Sequence, residues 1–280
     1  MLGIQVFNKE NDKKYWKDGI IDYNLQWLQK LGIDLDEVTL TADCWAGGGN
    51  LGACVEYFIN GLEVGNMVFM EYKCFNDGTI EKLPVQVIDV GIGLERIPWL
   101  LSGNVTSYIT SFPSSIEKFC ELTGVSKNEF TNDAWKKFGR YSCLLNVDEV
   151  SDINETWKYI ASECGQEVNS FKEQVTFVRD IYIVLDHLRS LLVAVQDGAL
   201  PGNVGGGCNL RNILRRVFTI VEKRKWTALF NVDSLLQLFD AHRKDLETVH
   251  GKGAFPPFKA LGEIVELELQ RWRSTDETSK

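Results

Sequence analysis

In the stretch 85–99, VQVIDVGIGLERIPW, the groups able to act together are the carboxylate of Asp89, two glycines, Gly91 and Gly93, and the guanidinium of Arg96. A carboxylate at a strand end can hold an ammonium group, while Arg96 offers a permanently charged fork of donors suited to phosphate oxygens. The glycines let the backbone pass close to a flat or phosphorylated ligand. One such junction could serve an amino acid and a nucleotide together. As a lone pattern GIGLER is weak, as often a structural turn beside an exposed arginine as a ligand site. It is not a dinucleotide fingerprint, which needs a third glycine where Arg96 stands and an acid about 20 residues later.

Other residues could join this site. Trp45 stands beside Gly47, Gly48, Gly49 and Asn50. A tryptophan next to a glycine run can wall a small pocket, although the core is the commoner place for any single tryptophan. Glu56 and Asn66 fall within apolar, strand-like segments, so each lies either on a solvent face or in a site. Further on, Asp186 and Arg189 are spaced for a same-face ion pair, and His187 lacks a spaced metal-ligand partner. Arg211, Arg215, Arg216, Lys223, Arg224 and Lys225 gather positive charge on one segment. That segment is either a solvated basic face or a surface that tracks nucleic-acid phosphates.

The elements that must position these groups follow from periodicity. Residues 20–31 have helical apolar spacing, closed by Gly32. VEYFI and EVGNMVFMEY read as strands joined by Asn60-Gly61, and Asn76-Asp77-Gly78 turns the chain into VQVID. The expectation is a three-strand antiparallel meander, a two-glycine turn and a helix over 94–101. Beyond it lie helical segments: SSIEKFCELTG, NDAWKKF, NETWKYIASEC, FVRDIYIVLDHLRSLLVAVQ, NLRNILRRVFTIVEKRKW, VDSLLQLFDAHRKDLETV and FKALGEIVELELQRW. In the longest, Ile181, Leu185, Leu188, Leu192 and Val195 form one stripe. PGNVGGGCN at 201–209 is expected to be an ordered turn. The fold class is therefore α+β, with a sheet-bearing module over 1–112, a helical module over 113–273 and a frayed tail at 274–280.

Composition narrows the function. The 280 residues are 44% hydrophobic and 25% charged, with a formal net charge of −9, so any nucleic-acid binding must come from a local basic face rather than global charge. The seven cysteines show no CxxC and no nearby histidine pair, which points to reduced thiols in the cytoplasm and no structural zinc. The first residues, MLGIQVFNKENDKKYW, have no apolar core of a secretory leader, and no run of 18 or more apolar residues would span a membrane.

Three long phrases carry a resemblance: DCWAGGGNLGACVEYFINGLEVGNMVFMEY, VIDVGIGLERIPWLLSGNVTSY and LDHLRSLLVAVQDGALPGNVGGGCNLRNILRRV. In this order and at these separations they resemble alanyl-tRNA synthetases of the archaeal type, over roughly residues 20–273. The resemblance implies part of a class II synthetase antiparallel sheet, with GIGLER as its motif 3, followed by tRNA-recognition helices. It implies that Arg96 holds the ATP phosphates with Mg2+, and that Gly91 and Gly93 lie beside the nucleotide. Asp89 would hold the alanine ammonium, with Asp89 and Arg96 as the catalytic pair and Trp45 and Asn66 in the alanine pocket. Asn203 would read the G·U wobble pair of the tRNA(Ala) acceptor stem, with Arg211, Arg215 and Arg216 running beside that stem. Gly202, Cys208 and the Ile109-Thr110 pair depart from the family pattern. Motifs 1 and 2, including the arginine for the α-phosphate, are not found, nor is the editing domain. The resemblance thus implies part of an alanine–tRNA ligase that needs a second polypeptide carrying those motifs. The rival expectation is a non-catalytic tRNA-binding paralogue.

Overall fold

A computed structural model describes residues 1–9, 15–146, 150–257 and 260–278, with side chains to Ser274 in the last helix. The chain divides into two compact units, Met1–Ser107 and Tyr108–Lys280.

The first unit is a five-stranded antiparallel sheet: β1 (Leu2–Lys9), β2 (Val38–Gly47), β3 (Asn50–Ile59), β4 (Leu62–Cys74) and β5 (Ile80–Ile92), in the order β1-β5-β4-β3-β2. The expected meander is its centre, and two edge strands extend it. Asn60 (φ 50°) and Gly61 (φ 83°) make the β3–β4 hairpin with both turn residues left-handed, as a two-residue hairpin requires. The other expected turn closes at Gly78, where the Asp77 carboxylate accepts from the Thr79 backbone N–H and hydroxyl. Helix α1 (Lys17–Lys30) lays Ile20, Asn24 and Leu28, four residues apart, against one sheet face and ends at Gly32 in the left-handed region. There Ile20 and Leu28 join Tyr57, Met67, Phe69, Ile88, Val90 and Ile92 in one buried cluster. The buried alternation of Ile88, Val90 and Ile92 leaves Asp89 and Gly91 on the opposite face.

The two-glycine turn is shorter than its sequence implies. Gly91 is a strand residue, paired with Asn66 on one side and Gly3 on the other, and only residues 93–95 separate β5 from α2 (Arg96–Ser102). The ladder continues to Ile92 because β1 offers the far side of β5 a partner, which prolongs the pairing beyond the local turn signal.

The second unit begins within α3 (Ser107–Ser111) and then holds α4 (Pro113–Thr123), α5 (Asp133–Tyr141), α6 (Ile153–Glu163), α7 (Val168–Gln196), α8 (Gly205–Arg224), α9 (Val232–His250) and α10 (Leu261–Thr278). The stripe Ile181, Leu185, Leu188, Leu192 and Val195 is buried along α7, the 29-residue spine of this unit. Buried Asp180 ties α7 to α8 through Arg224 Nε and Nη2, each 2.8 Å away, and Asp245 ties α9 to α4. Asp245 accepts from the backbone N–H groups of Ser114 and Ser115 at 3.0 Å and from the Ser115 hydroxyl at 2.7 Å, capping α4 from a distant helix. Helix α10 continues through Thr278, so most of the stretch expected to fray is helical; residues 279 and 280 lie outside the described residues, as do Phe258 and Lys259 of the last helical phrase. Among the described residues no helix is long and apolar enough to cross a membrane.

Candidate functional site

Register decides which side chains share a sheet face, because directly opposed residues of antiparallel strands point the same way. Three rows cross the face opposite the core. One runs Trp45, Gly52, Met70, Val87, Phe7; the next Asp43, Cys54, Val68, Asp89, Gln5; the third Thr41, Glu56, Asn66, Gly91, Gly3. The strands thus bring Trp45, Asn66, Asp89 and Gly91 to one surface. Val68, directly opposite Asp89 and almost buried, joins them as an apolar neighbour that sequence reading did not single out.

Asp89, Asn66 and Trp45 are each partly exposed. Among the described residues Asp89 accepts a single long bond, 3.4 Å from Gln5 Nε2, which leaves its carboxylate able to take an ammonium. The Asn66 amide has no partner among the described residues, and a Cβ on Gly91 would stand 3.4 Å from its Oδ1, so the glycine keeps that side open. The Trp45 ring lies over Gly47, where a Cβ would come within 2.6 Å of the ring. Trp45 belongs to strand β2 rather than to a glycine loop; the glycine turn proper is Gly48-Gly49, both left-handed.

Arg96 begins α2. Its stem lies on Gly93, where a Cβ would meet Cδ at 2.7 Å, and its Nη1 donates to the Glu63 backbone carbonyl at 2.9 Å and to Glu63 Oε2 at 3.0 Å. The side chain is 43% exposed, and among the described residues its Nε and Nη2 have no partner. The fork is therefore anchored on one side and open on the other. Glu63 is a second group that sequence reading missed, and nothing in its local pattern marks it.

The face is crowded with acids. Burial, then Glu63 and Asp43, raise the Glu56 carboxyl above its ordinary range. Burial and the same acids, with Glu56, push the Cys54 thiol up to about 11. Carboxylates held this close favour a cation among them. Among the described residues no group of three or more His, Cys, Asp or Glu side chains is spaced to hold a metal by itself.

In the helical unit, Asn203, Arg211 and Arg215 line a cavity of about 350 Å3 with Glu268, Arg271, Trp272 and Ser274. Arg211 is not a free cation: Nε and Nη2 grip both Glu268 oxygens at 2.8 and 3.0 Å, and Nη1 meets Asn203 Oδ1. Burial opposes ionisation of Glu268, yet its bonds to Arg211 and Arg271 outweigh this and hold its carboxyl below the usual range. Arg224 and Lys223 are likewise paired, with Asp180 and, for Arg224, Glu173 as well. Half of the basic segment is thus neutralised, which leaves Arg215 in the cavity, Arg216 exposed off its edge and Lys225 exposed at the end of α8. The turn before α8 is ordered: Gly202 N–H donates to the Gly207 carbonyl at 2.8 Å, and a Cβ on Gly207 would strike the Leu200 carbonyl.

Among the described residues Asp186 and Arg189 form no salt bridge with each other. Arg189 donates to the Ser111 carbonyl at 3.0 Å and lies over the Phe112 ring, while Asp186 sits 3.6 Å from His187. Buried His242 is the more constrained histidine. Its Nδ1 lies 2.9 Å from the Ser115 hydroxyl, whose own proton goes to Asp245, so Nδ1 donates; burial, with Arg189 nearby, pushes its pKa down to about 3.

An antiparallel sheet with an arginine just beyond the strand that carries Asp89 accords with the family match. The model of tRNA synthetases class II (A) matches residues 1–275, and the chain belongs to that family. Over 281 aligned residues it is 36% identical to the alanine–tRNA ligase of Methanocella arvoryzae, an alignment covering 100% of this chain and 31% of that protein. With the alanine–tRNA ligase of Methanothermobacter thermautotrophicus it shares 29% over 279 residues, 98% of this chain and 30% of the relative. With that of Nitrosopumilus maritimus it shares 36% over 236 residues, 82% and 25%. The chain spans less than a third of the length of these curated relatives.

Proposed function

We propose that the chain is part of an alanine–tRNA ligase, with the alanine and ATP site on the outer face of the sheet and a tRNA-recognition surface on the helical unit. The observation that carries this is the register: Trp45, Val68, Asn66 and Asp89 share one face, and Arg96 follows at the end of the same strand. The alanine carboxylate attacks the α-phosphate of ATP, giving alanyl-adenylate and pyrophosphate, and a terminal tRNA hydroxyl then takes the acyl group. Asp89 holds the ammonium and so orients the carboxylate, Val68 and Trp45 fit only a small side chain, and Arg96 neutralises phosphate charge. Glu56 and Asp43 are the carboxylates that would hold Mg2+ together with substrate phosphates, and the ion would supply shielding of the phosphate charge. Asn203 reads the acceptor stem, and Arg215 and Arg216 meet its phosphates. Cytoplasmic location follows from that role.

The test is alanine-dependent ATP–pyrophosphate exchange, run with this chain alone and with a polypeptide carrying class II motifs 1 and 2. Exchange that requires Asp89 and Arg96 supports the reading; no exchange in either case, with tRNA binding intact, sinks it in favour of a tRNA-binding paralogue.

A further inference from the structure

Asn203 is exposed at the bend before α8, where no regular ladder fixes its side chain. Arg211 fixes it. A guanidinium can only donate, so the atom that Arg211 Nη1 meets is the amide oxygen, and the two N–H groups of Asn203 Nδ2 are left for a ligand. Arg211 is itself held by a two-point grip from Glu268, a residue 57 positions away on α10 with a side chain only 4% exposed. Arg271 donates to the same carboxylate at 2.6 Å and helps to hold it ionised.

We propose that Glu268 is a positioning residue that acts through Arg211 to set the Asn203 amide with its donors outward, and so determines specificity for the acceptor-stem base pair. This rests on the reading of Asn203 given above. An amide turned by a half rotation has nearly the same shape but exchanges donors for an acceptor. The minor groove of an RNA helix is wide and shallow, and a pair containing guanine presents the N3 and O2 acceptors there beside the guanine N2 amino donor, so an amide with its donors outward and an inverted one meet different atoms of the pair. With Glu268 in place, the third Arg211 donor enforces one orientation. Without it, Arg211 is released and the amide can invert.

The experiment measures dissociation constants, at one fixed salt concentration, for two acceptor-stem RNA duplexes that differ only in G·U or G·C at the recognised pair. The full chain is compared with Asn203→Ala, Glu268→Ala and Glu268→Asp. Glu268→Ala is expected to cut the G·U preference by about tenfold while changing G·C affinity less than about twofold, the scale of one well-placed base contact. Glu268→Asp, which keeps the carboxylate, restores part of the preference, and adding Glu268→Ala to Asn203→Ala costs nothing more. Preference retained in Glu268→Ala but lost in Asn203→Ala overturns the proposal. Preference retained in Asn203→Ala instead overturns the reading of Asn203, and the two failures are told apart. If Glu268→Ala does not fold, Arg211→Lys gives the same readout, because a lysine cannot bridge Glu268 and Asn203 with a fixed fork; full preference in that variant overturns the proposal.

Discussion

Replacing Gly93 by alanine should disable Arg96 without touching it. A Cβ at Gly93 would lie 2.7 Å from Arg96 Cδ, 2.9 Å from Cγ and 3.3 Å from Cβ, against a usual carbon–carbon contact of about 3.5–4.0 Å. The backbone has little room to give, because Gly93 N–H is bonded to the Val64 carbonyl at 2.9 Å and its own carbonyl accepts from Arg96 N–H at 3.0 Å. The arginine stem must therefore move by about 1 Å, which breaks its alignment with Glu63 and with any phosphate; misplacement of this size can cost about 100-fold. A charge-assisted hydrogen bond contributes ~1.5–3 kcal/mol, or about 10- to 150-fold, so the two routes agree. Gly93 is outside the left-handed region and the strained atoms belong to a half-exposed side chain, so stability should change by no more than about 0.5 kcal/mol. ATP affinity, measured by equilibrium binding and by the KM for ATP in pyrophosphate exchange, should fall about as far as in Arg96→Ala, with an unchanged melting temperature. Undiminished affinity in Gly93→Ala beside a large loss in Arg96→Ala would refute the steric argument, as would a melting temperature that falls in parallel.

Asp180→Ala leaves the buried Arg224 guanidinium with only the exposed Glu173 and should cost about 3 kcal/mol of stability, seen as a lower urea midpoint; a change below about 1 kcal/mol would show that the pair is unimportant. His242 titrates lower folded than unfolded, so the unfolded state gains the proton first and stability declines as pH falls from about 6.5 towards 3. Urea midpoints across that window should flatten in His242→Gln, and an unaltered slope would assign the acid sensitivity elsewhere. Iodoacetamide near pH 8 should label exposed Cys44 and Cys143 first, whereas Cys54, buried and with its thiol pushed up to about 11, should resist until the sheet unfolds; early labelling of Cys54 would contradict its burial.

The parts of the fold legible in the sequence are those with local signals. Asn60-Gly61 marks its hairpin because only a few residue types adopt two successive left-handed conformations, and Ile88, Val90 and Ile92 announce a strand by their period of two. The edge strands are another matter. β1 pairs Leu2 with Ile92 across most of the unit, so no turn residue signals it, and β2 exposes residues on both faces and loses the alternation that reveals a strand. The same division holds at the site. Asp89, Gly91, Gly93 and Arg96 are close in sequence and were found together, whereas Glu63 is 33 residues from the arginine it holds and Glu268 is 57 from Arg211. The pairing of Arg211, Lys223 and Arg224 is hidden from the sequence for the same reason: their acidic partners, Glu173, Asp180 and Glu268, belong to other helices. Asp186 and Arg189 satisfied the helical spacing rule, but Arg189 found a backbone carbonyl and an aromatic face instead.

The most direct test of the central claim is a binding map with a non-hydrolysable alanyl-adenylate analogue, read from the side-chain N–H resonances of the 15N-labelled chain. Shared occupancy of one sheet face predicts shifts of the Trp45 indole N–H and the Asn66 amide on titration, lost in Asp89→Asn, with the Trp226 and Trp272 indoles unmoved. Saturable binding that leaves Trp45 and Asn66 unperturbed, or that is indifferent to Asp89, would contradict it.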